Sequence, residues 1–352
     1  MSWTGRSFAG RQRKETPMLR RSFLKFGIAG LAAPNLILRS AEATGQPQPG
    51  SPFIVTYFEV PEIKGSRDVT DAGDGTLWVC GQRNGVLGRF DPRTSQTRVI
   101  PLGDGAAPHG VVRGPDGAAW VTEGGQNAIA RVDDKTHKVD LFKLPAERER
   151  ANLNTPVFDK TGMLWFTGQN GIVGRLDPKS GKMEIFDAPR GAGPYGMTRT
   201  PAGDIWFASL AGNYIARINT QSGAFTVVDP PTEGQGARRV WSDSKNRIWV
   251  SEWNSGQVSA FDTESGSWKG WKLPGNKPRT YSVYVDDADK VWLTDFALNS
   301  IVRFDPLSEE FNSFPSDKPG ANVRQMDGRS GEAWGGESGS NRLVRIQTVK
   351  PA

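Results

Sequence analysis

Seven tryptophans stand at nearly constant spacing along this chain: Trp78, Trp120, Trp165, Trp206, Trp249, Trp292 and Trp334, separated by 42, 45, 41, 43, 43 and 42 residues. Each sits in the same local phrase, a small polar turn, an aliphatic residue, the Trp, then a small or apolar residue. Asp74-Gly75-Thr76-Leu77-Trp78-Val79 and Gly203-Asp204-Ile205-Trp206-Phe207 are two copies. A period of about 40 to 45 residues built from short strands is the signature of a β-propeller, in which each repeat is one four-stranded blade. Seven copies predict an all-β chain with seven blades.

The rest of each repeat keeps step with the Trp. Downstream comes an Asn, then aliphatic residues alternating around an Arg, then an acid or amide: Asn127, Ile129, Arg131 and Asp133 in one copy, Asn299, Ile301, Arg303 and Asp305 in another. Period-two alternation reads as strand. An outer strand ending in proline follows, as in Leu141 to Pro145, and proline is tolerated there because that strand is an edge. The seventh repeat stops after Arg345-Ile346-Gln347 without an outer strand, whereas Val55 to Pro61 is an outer-strand phrase with no blade before it. Residues near 54 to 60 are therefore expected to complete the seventh blade and latch the ring, removing two exposed strand edges. One propeller domain over 53–352 follows, preceded by a short linker at 44–52. Gly 42 and Pro 24 are explained by the number of turns and not by low complexity.

The first 43 residues are a different object. Leu19-Arg20-Arg21-Ser22-Phe23-Leu24-Lys25 is a twin-arginine phrase, followed by an apolar stretch from Phe26 to Leu38 and a small-residue cleavage pattern at Ala41-Glu42-Ala43. These features predict twin-arginine export of the chain, by that export machinery, to the periplasm or beyond, with Met18 as an alternative start. An apolar stretch this short, holding Gly, Pro and Asn, does not reach across a bilayer, so no span is expected in the mature form.

Removing that segment changes the charge argument. It holds eight of the 44 Lys and Arg and two of the 38 acids, so the remainder carries 36 of each and no net charge. The basic balance belongs to the leader and gives no support for a nucleic-acid partner. Cys80 is the only cysteine, which excludes an intramolecular disulfide and suits a small buried strand residue. A monomer acting on a small or oligomeric polar substrate is expected.

Propeller topology says where a site would lie. The innermost strand of a blade starts on one face, turns on the other, and the Trp strand returns to the first. Eleven residues before each Trp, ten in the last repeat, a lead position holds Arg67, His109, Asn154, Tyr195, Arg238, Tyr281 and Arg324. Three residues after each Trp, a trailing position holds Gly81, Glu123, Gly168, Ser209, Glu252, Asp295 and Glu337. These fourteen positions vary while the Trp and aliphatics do not, and they share one mouth of the central channel. Variation on a repeated scaffold is where ligand contact is expected. Arg67, His109, Tyr195 and Arg238 are accordingly read as substrate-binding. Glu123, Glu252 and Asp295 either pair with neighbouring Arg or hold a hard divalent cation through oxygen ligands. The Trp residues themselves read as blade core, and the repeated Arg of the third strand as a structural partner of repeat carboxylates or carbonyls. Blade five breaks that pattern with Ala260.

Pro108-His109-Gly110-Val111, Gly114-Pro115-Asp116-Gly117, Trp120-Val121-Thr122-Glu123 and Asn127 to Arg131, echoed from Pro194-Tyr195-Gly196-Met197 to Arg217, resemble the virginiamycin B lyase, or streptogramin lyase, family. The resemblance runs over all seven repeats, about residues 53 to 349. It implies a magnesium-dependent ring opening of a cyclic depsipeptide by elimination, with no water entering the product. It also implies histidines at the lead positions of the last two blades and a glutamate after the final Trp. Here those lead positions hold Tyr281 and Arg324, and Glu337 is the acid near the last Trp. Tyr281, Arg324 and Glu337 are the catalytic candidates on this footing. Elimination needs a base beside a carbonyl and an acid, cation or metal at the leaving group. Tyr281 serves as base only if neighbours such as Arg279 or Arg324 depress its pKa, while Arg324 stays protonated and stabilises developing negative charge. Three classes stay open: a lyase acting on an ester, lactone or polyuronate-like substrate; a metal-dependent lactonase using Glu123, Asn154, Glu252 and Asp295 around a cation; and a non-catalytic periplasmic binding or scaffold propeller.

Overall fold

The computed structural model describes residues 51–349 and, as backbone only, the strand Ile37–Arg39. The rest of the export segment lies outside the described residues. Residues 51–349 form seven antiparallel sheets whose three inner strands follow one another in sequence from the axis outward. The innermost strands are Ser66–Asp71, Pro108–Arg113, Leu153–Phe158, Pro194–Arg199, Ala237–Ser242, Thr280–Val285 and Val323–Arg329, and each touches the next around a closed ring. The first sheet gains a fifth strand, because Ile37–Arg39 pairs antiparallel with Gln96–Arg98 on its outer edge.

The ring closes through its ends. Phe53–Glu59 pairs antiparallel with Arg342–Thr348 and supplies the missing outer strand of blade seven. Phe58 is 1% exposed and stacks on Trp334 at 5.4 Å, so this latch is also part of an apolar core.

Each Trp packs into the seam between its own blade and the next. Trp78 shares a cluster with Val111, Ala119 and Val121 of blade two, and Trp334 one with Val69, Leu77 and Val79 of blade one. Burying an indole in a seam requires a partner for its N–H. An acid of the preceding turn accepts it in five blades: Asp116, Asp159, Asp243, Asp286 and Glu332. The third-strand Arg lies directly across from the Trp, as Arg89 does with Trp78 at 4.7 Å, and pairs with repeat acids such as Asp74 and Asp134. Where blade five has Ala260 opposite Trp249, Arg247 from the preceding turn covers the same ring at 5.3 Å. Cys80 is fully buried in its strand.

Two features aim the lead residues at the axis. In every blade the pairing of the two innermost strands shifts at the lead position, as between Ser66 and Val69 opposite Gly81 and Val79. Such bulges place an extra residue on one strand and redirect its side chain. A hydroxyl two residues after the Trp then holds the position. Thr122, Thr167, Ser251 and Thr294 each accept the N–H of the residue after their own blade's lead residue, and the first three donate to the lead carbonyl of the next blade.

Candidate functional site at the ring mouth

The seven lead side chains form one connected hydrogen-bonded network. Arg67 and Asn154 both donate to Nε2 of His109, the latter at 3.2 Å. Arg67 also reaches the Tyr281 hydroxyl at 3.4 Å, and Arg324 reaches it at 3.2 Å. The Tyr195 and Tyr281 oxygens lie 2.7 Å apart, and Arg238 donates to Tyr195 at 2.8 Å. The guanidinium of Arg238 also lies 3.9 Å above the Tyr281 ring.

Charge decides the protonation of this network. Burial pushes the Tyr281 phenol up, but Arg67, Arg238, Arg239 and Arg324 outweigh it and pull it down to about 6. Burial and the neighbouring Tyr281 push Tyr195 the other way. These opposite shifts favour the arrangement in which Tyr195 keeps its proton and donates to the Tyr281 oxygen. Burial, and then the same arginines, hold His109 well below the usual imidazole range, so it is neutral. With two donors on Nε2, the lone pair that would make His109 a base is already engaged.

One layer below, Arg239 is 1% exposed and forms an ion pair with Asp68 at 3.2 Å while donating to Thr155 at 2.8 Å. This layer separates the mouth from a cavity of about 1320 Å³ that opens on the opposite face. Above the network, Phe296 stacks on Tyr281 at 4.6 Å and an 8° interplanar angle, and Trp253 stands edge-on to both rings. Arg279 covers Trp253 at 5.5 Å. Trp253 and Phe296 were not among the candidates read from the sequence, nor were Asp68 and Arg239. Their signal was one position away: the residue after the trailing position is aromatic only in blades five and six, and the residue after the lead position is charged only in blades one and five.

The trailing carboxylates do not join the network. Glu123 accepts the backbone N–H groups of Ala107 and Gly125, at 2.5 and 2.9 Å. Asp295 accepts those of Arg279 and Ala297, at 2.8 and 2.9 Å. Glu252 is held by Ser255, and burial raises its pKa. Glu337 accepts from Ser316, Ser340 and Arg342, and is 1% exposed. Glu123 and Asp295 tie down the turns around them, and Glu337 joins its own turn to Ser316 and Arg342. Among the described residues no group of three or more His, Cys, Asp and Glu converges in a way that could hold a metal ion. The trailing acids, already engaged in this way, therefore do not fit a resident magnesium or calcium. No helix of the described residues is long and apolar enough to cross a membrane.

Known structures share this architecture. Selenomethionine-substituted virginiamycin B lyase from Staphylococcus aureus superposes with a TM-score of 0.77 at 20% identity, over 84% of this chain and 100% of that one. A catalytically inactive variant of the Staphylococcus aureus enzyme with quinupristin gives 0.78 at the same identity and coverage. The WD40 β-propeller domain of Doa1 gives 0.66 at 13% identity, over 80% of this chain and 91% of that one, so the likeness is one of fold. No curated protein sequence matches the chain. The family model for virginiamycin B lyase matches residues 51–304, most of the ring. The chain is a member of the virginiamycin B lyase family.

Proposed function

We propose that the protein is a carbon–oxygen lyase that opens an ester or lactone by elimination, with Tyr281 as the base. The observation that carries this reading is the convergence of Arg67, Arg324 and Tyr195 on the Tyr281 oxygen, beneath the Arg238 guanidinium. A phenolate with a pKa of about 6 is deprotonated at neutral pH yet close enough to it to accept a proton efficiently. Its oxygen takes the proton from the carbon beside a carbonyl. The C–H electrons become a new C=C bond, the neighbouring C–O bond breaks, and the carboxylate leaves with its electron pair. Arg238 and Arg324 stabilise the charge that develops on the carbonyl oxygen. Glu337 acts on the turn it holds and takes no part in the step.

A second reading, a binding propeller without turnover, is favoured by one observation. Tyr281 is 1% exposed, and Phe296 covers its ring, so a substrate has to move Phe296 or slide beside Arg238 to reach the oxygen. Incubating the mature protein with a streptogramin B and a panel of lactones and cyclic esters, with and without magnesium, separates the readings. A retention shift at unchanged mass, lost in Tyr281→Phe, supports elimination. A gain of one water means a lactonase, and ligand retention without turnover means a binding protein.

We also propose that residues 1–43 export the folded ring by the twin-arginine route. Replacing both Arg20 and Arg21 by Lys is expected to leave the protein in the cytoplasm. Undiminished appearance in the periplasm would remove this reading.

A further inference from the structure

The mouth holds more positive charge than its phenolate balances. Arg67, Arg238 and Arg324 all face Tyr281, and Arg279 stands at the rim above Trp253. Arg239 is matched by Asp68, and Asp68 lies 4.0 Å from Arg67. Among the described residues no carboxylate forms an ion pair with Arg238, Arg279 or Arg324; the trailing acids Glu252, Asp295 and Glu337 are held by other partners. Arg67 is 8% exposed, with Asp68 as the carboxylate nearest its Nε, whereas Nε of Arg238 is buried without a hydrogen-bond partner. Arg238 and Arg324 are half-buried at the mouth and have no carboxylate partner, and an anion of planar, two-oxygen geometry is what their donors match.

We infer that the carbonyl beside the abstracted proton belongs to a free carboxylate, held by Arg238 and Arg324 over Tyr281, so that the substrate is an acid and not a neutral ester or amide. This rests on the elimination reading and narrows its substrate class. Loss of a proton next to a carboxylate places a second negative charge on its two oxygens, and two guanidiniums balance two charges. The electron pair then forms the C=C bond and the oxygen substituent on the next carbon leaves, restoring the single carboxylate charge. 3-Acyloxy acids fit this step directly, their acyloxy group leaving as a carboxylate; uronates with a glycosidic oxygen at that carbon extend it beyond esters, the departing oxygen taking the proton that Tyr281 has accepted.

Calorimetric titration of the mature protein with trigalacturonate and its methyl ester, and with 3-acetoxybutanoate and its ethyl ester, tests the inference and tells the two sources apart. The acid of at least one pair is expected to bind about tenfold tighter than its ester. That preference is expected to shrink with salt, to disappear in Arg238→Gln and Arg324→Gln, and to survive in Tyr281→Phe. Circular dichroism and the partial recovery of binding in Arg238→Lys separate loss of the site from loss of the fold. If Tyr281→Phe and the wild type bind the acid alike and neither turns it over, the carboxylate site stands and the lyase reading falls. If both esters bind as tightly as their acids, if neither acid binds, or if the preference ignores both arginine substitutions, the inference is overturned, whatever the fate of the lyase reading.

Discussion

The phenol oxygens of Tyr195 and Tyr281 lie 2.7 Å apart across the mouth, from blades four and six. Two identical groups in contact do not share a proton equally when their surroundings differ. Arg238 donates to Tyr195, while Arg67 and Arg324 donate to Tyr281, and these cations favour the ionised form at Tyr281. The pair therefore works as one donor and one acceptor, the division of labour that an acid–base site requires.

Tyr195→Phe removes the donor and leaves the arginines in place. The Tyr281 pKa is expected to rise by about one unit, equivalent to ~1.4 kcal/mol. The acidic limb of the pH dependence of kcat/KM checks this: it moves to higher pH in the variant while the plateau is retained.

Tyr281→Phe removes the counter-charge of three arginines together with the base. Turnover is expected to fall by about 10²- to 10⁴-fold. Stability is expected to fall by about 1 to 3 kcal/mol, because the guanidiniums of Arg67, Arg238 and Arg324 lose a shared acceptor. Denaturant unfolding and steady-state kinetics measure the two losses separately.

The pH dependence of stability has a definite sign. Tyr281 titrates near 6 when folded and near its ordinary 10 when unfolded, so its stabilisation is fully present above pH 10 and lost as pH falls towards 6. The stability difference between wild type and Tyr281→Phe should thus grow as pH rises through that window. His109 acts below it: neutral in the fold and protonated in the unfolded chain, it favours unfolding as pH drops below about 6.5. Thermal melts of both proteins across pH 5 to 10 read out the two slopes.

Most of the architecture was legible from residues because the repeat carries it. Trp78 and its six counterparts announced the blades, and the stray outer-strand phrase at Val55 to Pro61 announced the latch seen as Phe53–Glu59. The lead positions were legible because they escape the repeat, and the structure joins all seven. Their chemistry was less legible. That Arg67 spends a donor on His109, and that Glu123 and Asp295 are consumed by backbone N–H groups, depends on contacts across blades or within turns that no single repeat encodes. Trp253 and Phe296 stand one residue beyond the trailing position, outside the set that escapes the repeat.

The latch is predicted to control the stability of the ring. Phe58→Ala opens a hole against Phe90 and Trp334, which lie 5.2 and 5.4 Å from its ring, and is expected to cost about 3 to 5 kcal/mol. Guanidinium unfolding monitored by tryptophan fluorescence checks it. A loss under 1 kcal/mol would mean that pairing with Arg342–Thr348 closes the ring without this contact.

Elimination at this mouth requires an ionised Tyr281, and a spectrophotometric titration of tyrosinate in the folded mature protein tests that most directly. One phenol out of the full set is expected to ionise with a midpoint near 6, well before the others, and that single step should vanish in Tyr281→Phe. A protein whose tyrosines all stay neutral up to pH 9, or whose early step persists in Tyr281→Phe, would contradict the assignment of Tyr281 as the base.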